Sequence, residues 1–422
     1  MNVTSVEAAR ILSWYAEIVY GNVTELKKIY ERLEEIPLQR RHLIHFLFFD
    51  AGGGHRAAAT ALQQVIATQN RPWEVELVDV QDVLDELDVF RKLTGLRLED
   101  IYNQLLARGW TLGSTQLLPL MHGVIRIYHR AQVRVLTRFW RERRPDLVVS
   151  LIPNFNRALF EGLRAAAPGV PYVTILTDMA DYPPNFWLED QRQVVVCGTD
   201  RAVEQARAIA APGSEVHRVS GMILHPRFYE VPPVDRAAAL RGYGLEPGVP
   251  TGLVLFGGEG STKMLDIYDR IEASGLNVQL LLLCGKNEKL AAKLRARQGR
   301  VRKHVEGFTR QVPSFMQLAD FFIGKPGPGS VSEALQMGLP VIVEKNAWTL
   351  PQERFNADWV KQQGVGESLR SFAGIVPAVE RMLAPGRLEQ LRKRVAAMEN
   401  RAIFEIPEIL AKLLPAAHTM QK

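Results

Sequence analysis

Two doubly wound α/β domains facing a central cleft are the architecture this sequence predicts. A length of 422 residues is more than one ordinary core organises. Short apolar runs alternate with helical or loop segments along the chain, the pattern of parallel strands joined by crossovers. Glycine-rich turns follow apolar strands in both halves: Asp50-Ala51-Gly52-Gly53-Gly54-His55-Arg56 in the first, Gly257-Gly258-Glu259-Gly260-Ser261-Thr262 and Gly324-Lys325-Pro326-Gly327-Pro328-Gly329 in the second. In open α/β sheets such turns lie at the carboxyl ends of the strands, so a ligand is expected in the crevice between the halves.

In chain order, residues 5–36 read as an amphipathic helix, with Ala8, Ile11, Leu12, Tyr15, Ile18 and Val19 at three- and four-residue spacing. Residues 43–49 are the first clear strand, followed by the three-glycine turn and an alanine-rich helix to about Thr68. Further strands are predicted at 74–79, 146–151, 172–177 and 194–197. Prolines and glycines cluster over 226–250, which reads as the interdomain connection. Strands at 251–256, 278–284, 301–306, 321–323 and 341–343 then alternate with helices, and a basic helical tail covers about 385–415. The expected division is a first domain 1–225, the connection 226–250, a second domain 251–400, and a C-terminal helix 401–422 available to pack back on the first domain.

Residues 321–344 form one complete unit of strand, loop, helix and strand. Ser330 or Ser332 is placed to cap the helix, Glu333 falls in its first turn, and Gly338-Leu339-Pro340 ends it. Free N–H groups at such a helix start suit an anion such as a diphosphate, while a carboxylate a few ångströms along suits two vicinal ribose hydroxyls. A plain glycine-rich βα turn is the alternative. The first glycine turn has neither the P-loop ending nor the GxGxxG spacing, so ATP and NAD are disfavoured. The residues alone lead to a nucleotide-like or phosphorylated ligand in the cleft.

Composition is globular, 47% hydrophobic and 23% charged. No apolar run reaches membrane-spanning length, and Glu7, Arg10 and Glu17 interrupt the N-terminal segment, so neither an anchor nor a secretory signal is expected. Cys197 and Cys284 each close an apolar run, fit a reducing cytoplasm and offer no metal-ligand spacing. A net charge of +6 favours anionic partners: nucleotide, nucleic acid or lipid headgroup.

The stretches DAGGGHRAAATAL, FGGEGS and GKPGPGSVSEALQMGLPVIV, in that order, resemble the monogalactosyldiacylglycerol synthases and processive diacylglycerol glucosyltransferases. More distantly they are similar to the bacterial transferase that adds N-acetylglucosamine to a lipid-linked cell-wall precursor. The resemblance runs from about residue 43 to about 366 and implies the two-domain GT-B fold, a UDP-sugar donor (UDP-glucose or UDP-galactose), inversion at the anomeric carbon, diacylglycerol or a related lipid as acceptor, and no bound metal. It implies that Gly257, Gly258 and Ser261 line the diphosphate, that Gly327 and Gly329 allow close approach beside Ser330, and that Glu333 holds the ribose. Gln352 and Glu353 are implied for the donor-sugar hydroxyls. His55 is the candidate for taking the acceptor proton or positioning the acceptor, with a simple bond to a loop carbonyl as the alternative. Asp178 is the candidate for orienting base or acceptor, with a turn-capping aspartate as the alternative. The chain departs from the family at Tyr182, Pro183, Pro184, Asn185, Trp187 and Asp190, where the relatives usually carry histidines, and this leaves acceptor identity open.

Arg126, Arg130, Arg134 and Arg138 recur four apart and are followed by Arg141, Arg143 and Arg144. On a helix this is a basic stripe, suited to an anionic membrane or to plain solvation, with the apolar Leu105–Met121 segment before it available for insertion. The expectation is a cytoplasmic enzyme held peripherally on the cytoplasmic membrane. The same fold also serves UDP-N-acetylglucosamine 2-epimerases, the competing reading together with a different lipid-linked acceptor. A nucleic-acid module would leave the glycine turns idle.

Overall fold

The computed structural model describes residues 41–50, 53–85 and 114–414, with side chains in the long helix from Ile127 onward. The helix read at 5–36 and the 105–113 part of the insertion segment lie outside the described residues.

Two six-stranded parallel sheets organise the chain. The first contains β1 (His42–Phe48), β2 (Trp73–Asp79), β3 (Leu147–Ser150), β4 (Tyr172–Ile175), β5 (Val194–Cys197) and β6 (Glu215–Arg218), in the order β2-β1-β3-β4-β5-β6. The second contains β7 (Thr251–Leu255), β8 (Gln279–Leu283), β9 (Lys303–Glu306), β10 (Phe321–Gly324), β11 (Val341–Glu344) and β12 (Gly366–Leu369), in the order β12-β11-β10-β7-β8-β9. Strand order reverses between β1 and β3 and again between β7 and β10. At these switch points the connections leave in opposite directions and open a crevice. The glycine turn carrying His55 follows β1, and the other two glycine turns follow β7 and β10.

Two edge strands escape the sequence reading for one reason. Their sequences, EVHR and GESL, lack the apolar run that marks an interior strand, because one long edge is unpaired and burial is only partial. Interior strands such as β3, β4 and β8 are buried throughout, since helices cover both faces of a parallel sheet. In the second sheet Leu253, Leu281 and Phe322 point into one layer, while Val254, Leu280, Leu282 and Ile323 point into the other.

The 226–250 connection is packed rather than free. Asp235 caps the short helix Arg236–Gly242, and Phe228, Leu240 and Leu245 are buried with Leu253, Leu281 and Phe322. The basic tail forms two helices, Arg387–Ala396 and Ala402–Leu413. Asn400 lies in the break: its Nδ2 donates to the Met222 carbonyl at 3.0 Å, and its side chain fills the space that a Cβ on Gly221 would need. After the break Ala402, Ile403, Ile406 and Leu410 bury themselves in the core of the first sheet, each Ile or Leu side chain contributing about 1.5–3 kcal/mol.

The long helix Ser114–Arg143 buries Leu136 and Trp140, and Gly162 lets the facing helix approach, since a Cβ there would lie 2.8 Å from Leu136 Cβ. Arg130, Arg134, Arg138 and Arg141 are exposed, and Arg143 donates to Glu76 at 3.1 Å. Ile127, beside the stripe, is 80% exposed. The side chains of Val124, Ile125 and Arg126 are outside the described residues. Among the described residues no helix is long and apolar enough to cross a membrane.

Candidate active site

His55 is the second residue of the helix Gly54–Thr68, which starts from Gly53 in the left-handed conformation (φ 74°). Its Nδ1 lies 3.1 Å from Thr177 Oγ1, just beyond the end of β4, and its ring packs against the Trp187 ring at 5.7 Å. Burial pushes the imidazole down to about 4, opposed by a hydrogen bond to the Leu151 carbonyl. The ring is therefore neutral at pH 7 and able to accept a proton.

Trp187 ties the loop after β4 together. It is buried, its Nε1 donates to Asp178 Oδ2 at 2.9 Å, and its backbone N–H donates to Asp181 Oδ1 at 2.6 Å. Asp181 also accepts from the Asn185 N–H at 2.9 Å. Thr177 rather than Asp178 holds His55, and Asp178 reaches the histidine only through Trp187, which touches both. Direct orientation of the base by Asp178 is thus not what the geometry provides. Burial pushes the Asp178 carboxyl up to about 7; the Trp187 hydrogen bond opposes this, Glu353 raises it, Lys325 lowers it and Asp181 raises it. Glu353 and Lys325 belong to the second half of the chain, so Asp178 faces them across the cleft.

On that side the turn after β7 is pinned by contacts only glycine permits. Gly257 and Gly260 have φ of 77° and 62°. A Cβ on Gly260 would lie 2.5 Å from the Cys284 carbonyl oxygen, and one on Gly285 would lie 2.1 Å from the Gly258 carbonyl oxygen. The Lys286 N–H donates to that same Gly258 oxygen at 2.8 Å. Ser261 Oγ accepts from the Lys263 N–H at 3.3 Å at the start of the next helix.

After β10 the helix runs Pro328–Gln336, with Gly327 at its N-cap and no side-chain cap. The serine cap predicted from sequence is therefore corrected. Pro328, preset in φ and lacking an N–H, starts the helix earlier. Ser330 sits inside the first turn with Oγ donating to the Gly327 carbonyl at 3.4 Å, and Ser332 is buried within the helix. Glu333 accordingly lies beyond the first turn. It is half-buried, and burial pushes its carboxyl up to about 7 against the pull of the Arg227 guanidinium. A Cβ on Gly258 or Gly329 would meet no atom within 4 Å, so both glycines border open space.

Glu353 is 7% exposed and accepts from Lys325 Nζ at 2.9 Å. Gln352, beside it on the turn Pro351–Glu353, is half-buried. Lys325 Cε lies 3.7 Å from the Cβ position of Gly257 and 3.3 Å from that of Gly327. Gly257, Gly327, Lys325 and Glu353 therefore converge, while Asn356 holds the loop by donating to the Pro326 carbonyl at 2.7 Å. Sequence reading gives no role of their own to Lys325, Gly285 and Asn356. A lysine directly after a strand inside a glycine-proline loop was the available signal for the first, and the others depend on loops distant in sequence. Among the described residues no three His, Cys, Asp or Glu side chains converge as metal ligands.

A cavity of about 640 Å³ opens elsewhere between the halves, lined by Tyr182, Arg201, Asn400 and Trp359 among others, and contains none of the glycine turns after β1, β7 and β10. Tyr182 and Phe355, whose rings meet at 5.9 Å, border it.

Two six-stranded parallel sheets with glycine turns at both switch points have the architecture of the GT-B fold. Residues 253–370 match the glycosyltransferase family 28 C-terminal domain, and with the relatives named next this makes the chain a sugar-transferring enzyme. Over 420 residues it is 25% identical to monogalactosyldiacylglycerol synthase 1, chloroplastic, of Arabidopsis thaliana, covering 92% of this chain and 73% of that protein. The resemblance drawn from the three glycine stretches therefore holds across most of the chain. Among solved structures, MurG of Acinetobacter baumannii superposes with TM-score 0.56 at 14% identity, covering 88% of this chain and 99% of that one. The S. aureus MnaA-UDP co-structure superposes with TM-score 0.55 at 14% identity, covering 89% and 100%. At those identities the structural likeness establishes the fold alone.

Proposed function

We propose that this enzyme transfers a hexose from UDP-glucose or UDP-galactose to the free hydroxyl of diacylglycerol with inversion, giving a β-glycosyl-diacylglycerol at an anionic membrane surface on the cytoplasmic side. The observation that carries the reading is a neutral His55 held by Thr177 and Trp187 in the half of the chain opposite the glycine turns after β7 and β10. The acceptor oxygen attacks the anomeric carbon from the face opposite UDP, its proton passes to His55, and the electron pair of the breaking C–O bond goes to the β-phosphate oxygen. Backbone N–H groups of the turn at Gly257 and Gly258 and of the uncapped helix at Gly329 and Ser330 oppose the charge that develops there. No metal is assigned a part. Ser261 borders the diphosphate, Glu333 takes the ribose, and Gln352 and Glu353 take the sugar hydroxyls. Incubation with each donor and dioleoylglycerol, followed by NMR of the extracted lipid, tests it: a β-linked glycolipid is expected. An α-linked product contradicts inversion, and epimerised UDP-N-acetylglucosamine without glycolipid contradicts the reaction class.

Glu333 gives this reading a pH signature. Ribose hydroxyls are held by the ionised carboxylate, whose folded value is raised to about 7, so below that pH binding must first expel a proton. UDP affinity therefore rises as pH rises through about 7 and then levels off. Calorimetry from pH 5.5 to 8.5 checks this; in Glu333→Gln affinity is lower and this rise is lost.

Membrane attachment is proposed to use the exposed Arg130 and Arg134 with Ile127. Each basic residue near an anionic surface contributes about 1 kcal/mol, so reversing both to Glu lowers co-sedimentation with anionic vesicles roughly tenfold or more. Equal sedimentation of both proteins would remove the arginine stripe from the reading.

A further inference from the structure

The Lys325–Glu353 ion pair has a plain structural rationale: a carboxylate on a side chain only 9% exposed needs a partner, and Lys325 Nζ at 2.9 Å supplies it. Two further observations exceed that need. The lysine stem runs between the two glycine turns, with Cε 3.7 Å from the Cβ position of Gly257 and 3.3 Å from that of Gly327. The ammonium is also not sealed in, since the Lys325 side chain is 42% exposed. A buried carboxylate is thus paired with a partly exposed cation standing where the two turns meet and where Gly258 and Gly329 border open space.

We propose that this pair exchanges partners when the donor binds: the diphosphate of a nucleoside diphosphate sugar draws the Lys325 ammonium onto its phosphate oxygens, and the Glu353 carboxylate, so released, accepts the sugar hydroxyls. The proposal rests on the donor reading given above. It makes Lys325 a catalytic cation, because the electron pair of the breaking C–O bond arrives on the phosphate that the ammonium contacts. It also makes phosphate and sugar recognition interdependent. Without a sugar Glu353 competes with the phosphate for Lys325; with a sugar bound, hydroxyl donors replace the lysine at the carboxylate.

Calorimetric titration of the full chain with UDP and with uridine separates this role from a structural one. A charge-assisted contact of this kind corresponds to about 10- to 100-fold in affinity. Lys325→Met is expected to weaken UDP by that factor and leave uridine unchanged, and Lys325→Arg to keep most of the UDP affinity. Glu353→Gln is expected to bind UDP as tightly as wild type or several-fold tighter, while losing turnover of the UDP-sugar. The double variant Lys325→Met/Glu353→Leu replaces the pair by apolar groups and guards against misfolding of the single one; it too should lose the preference for UDP over uridine. Equal losses for UDP and uridine, or Glu353→Gln weakening UDP as much as Lys325→Met, would overturn the exchange. If wild type binds neither ligand, the donor reading itself fails and the exchange fails with it.

Discussion

Replacing His55 with alanine lowers the rate of glycosyl transfer by about 10²- to 10⁴-fold, the range for removing a positioned general base. The Kd for UDP stays close to that of wild type, because every group assigned to the nucleotide stands on the other half of the chain. The substitution removes both the basic nitrogen and its placement. Burial keeps it neutral down to about pH 4, so at working pH it has a lone pair ready, and Thr177 fixes one ring nitrogen while Trp187 fixes the ring plane. Thr177→Val should reduce turnover less, since Trp187 still supports the ring. Steady-state kinetics alongside UDP calorimetry check both, and a His55→Ala enzyme with turnover near wild type would assign the proton to another group.

Gly285→Ala is expected to remove nucleotide binding and to cost stability, although Gly285 is assigned no contact with substrate. Its φ of 60° is unfavourable for any residue with a Cβ, and that atom would come within 2.1 Å of the Gly258 carbonyl oxygen. The strained conformation costs about 1–3 kcal/mol, and the clash adds overpacking of about 1–3 kcal/mol. Relief comes only if the turn after β7 moves, and that turn carries Gly257 and Gly258. A lower urea midpoint together with loss of UDP binding is the expected pair of results. A stable variant with intact UDP affinity would mean that the turn tolerates displacement.

Interior strands were legible in the sequence because burial on both faces forces continuous apolar runs, as in LLLL of β8 and FFI of β10. Of the four edge strands, β6 and β12 left no signal. The glycine turns were legible as turns, yet serine capping predicts too late a helix start after β10, where a proline sets the first helical residue. Single residues facing the cleft were legible as types: a histidine, carboxylates, glycines. Their partners were not. The Trp187–Asp178 bond joins residues nine apart through a loop with no regular pattern, and Lys325 meets Glu353 across 28 residues only because β10 and β11 are neighbours. Such pairs follow from strand order, which local periodicity does not encode.

Lipid-dependent release of UDP tests the central claim most directly. Purified enzyme is given UDP-glucose or UDP-galactose with vesicles of anionic phospholipid, with and without diacylglycerol, and free UDP is followed over time. UDP appearing with at least one donor only when diacylglycerol is present is the predicted result. UDP release that ignores diacylglycerol, or none from either donor although UDP binds, would contradict transfer to this lipid.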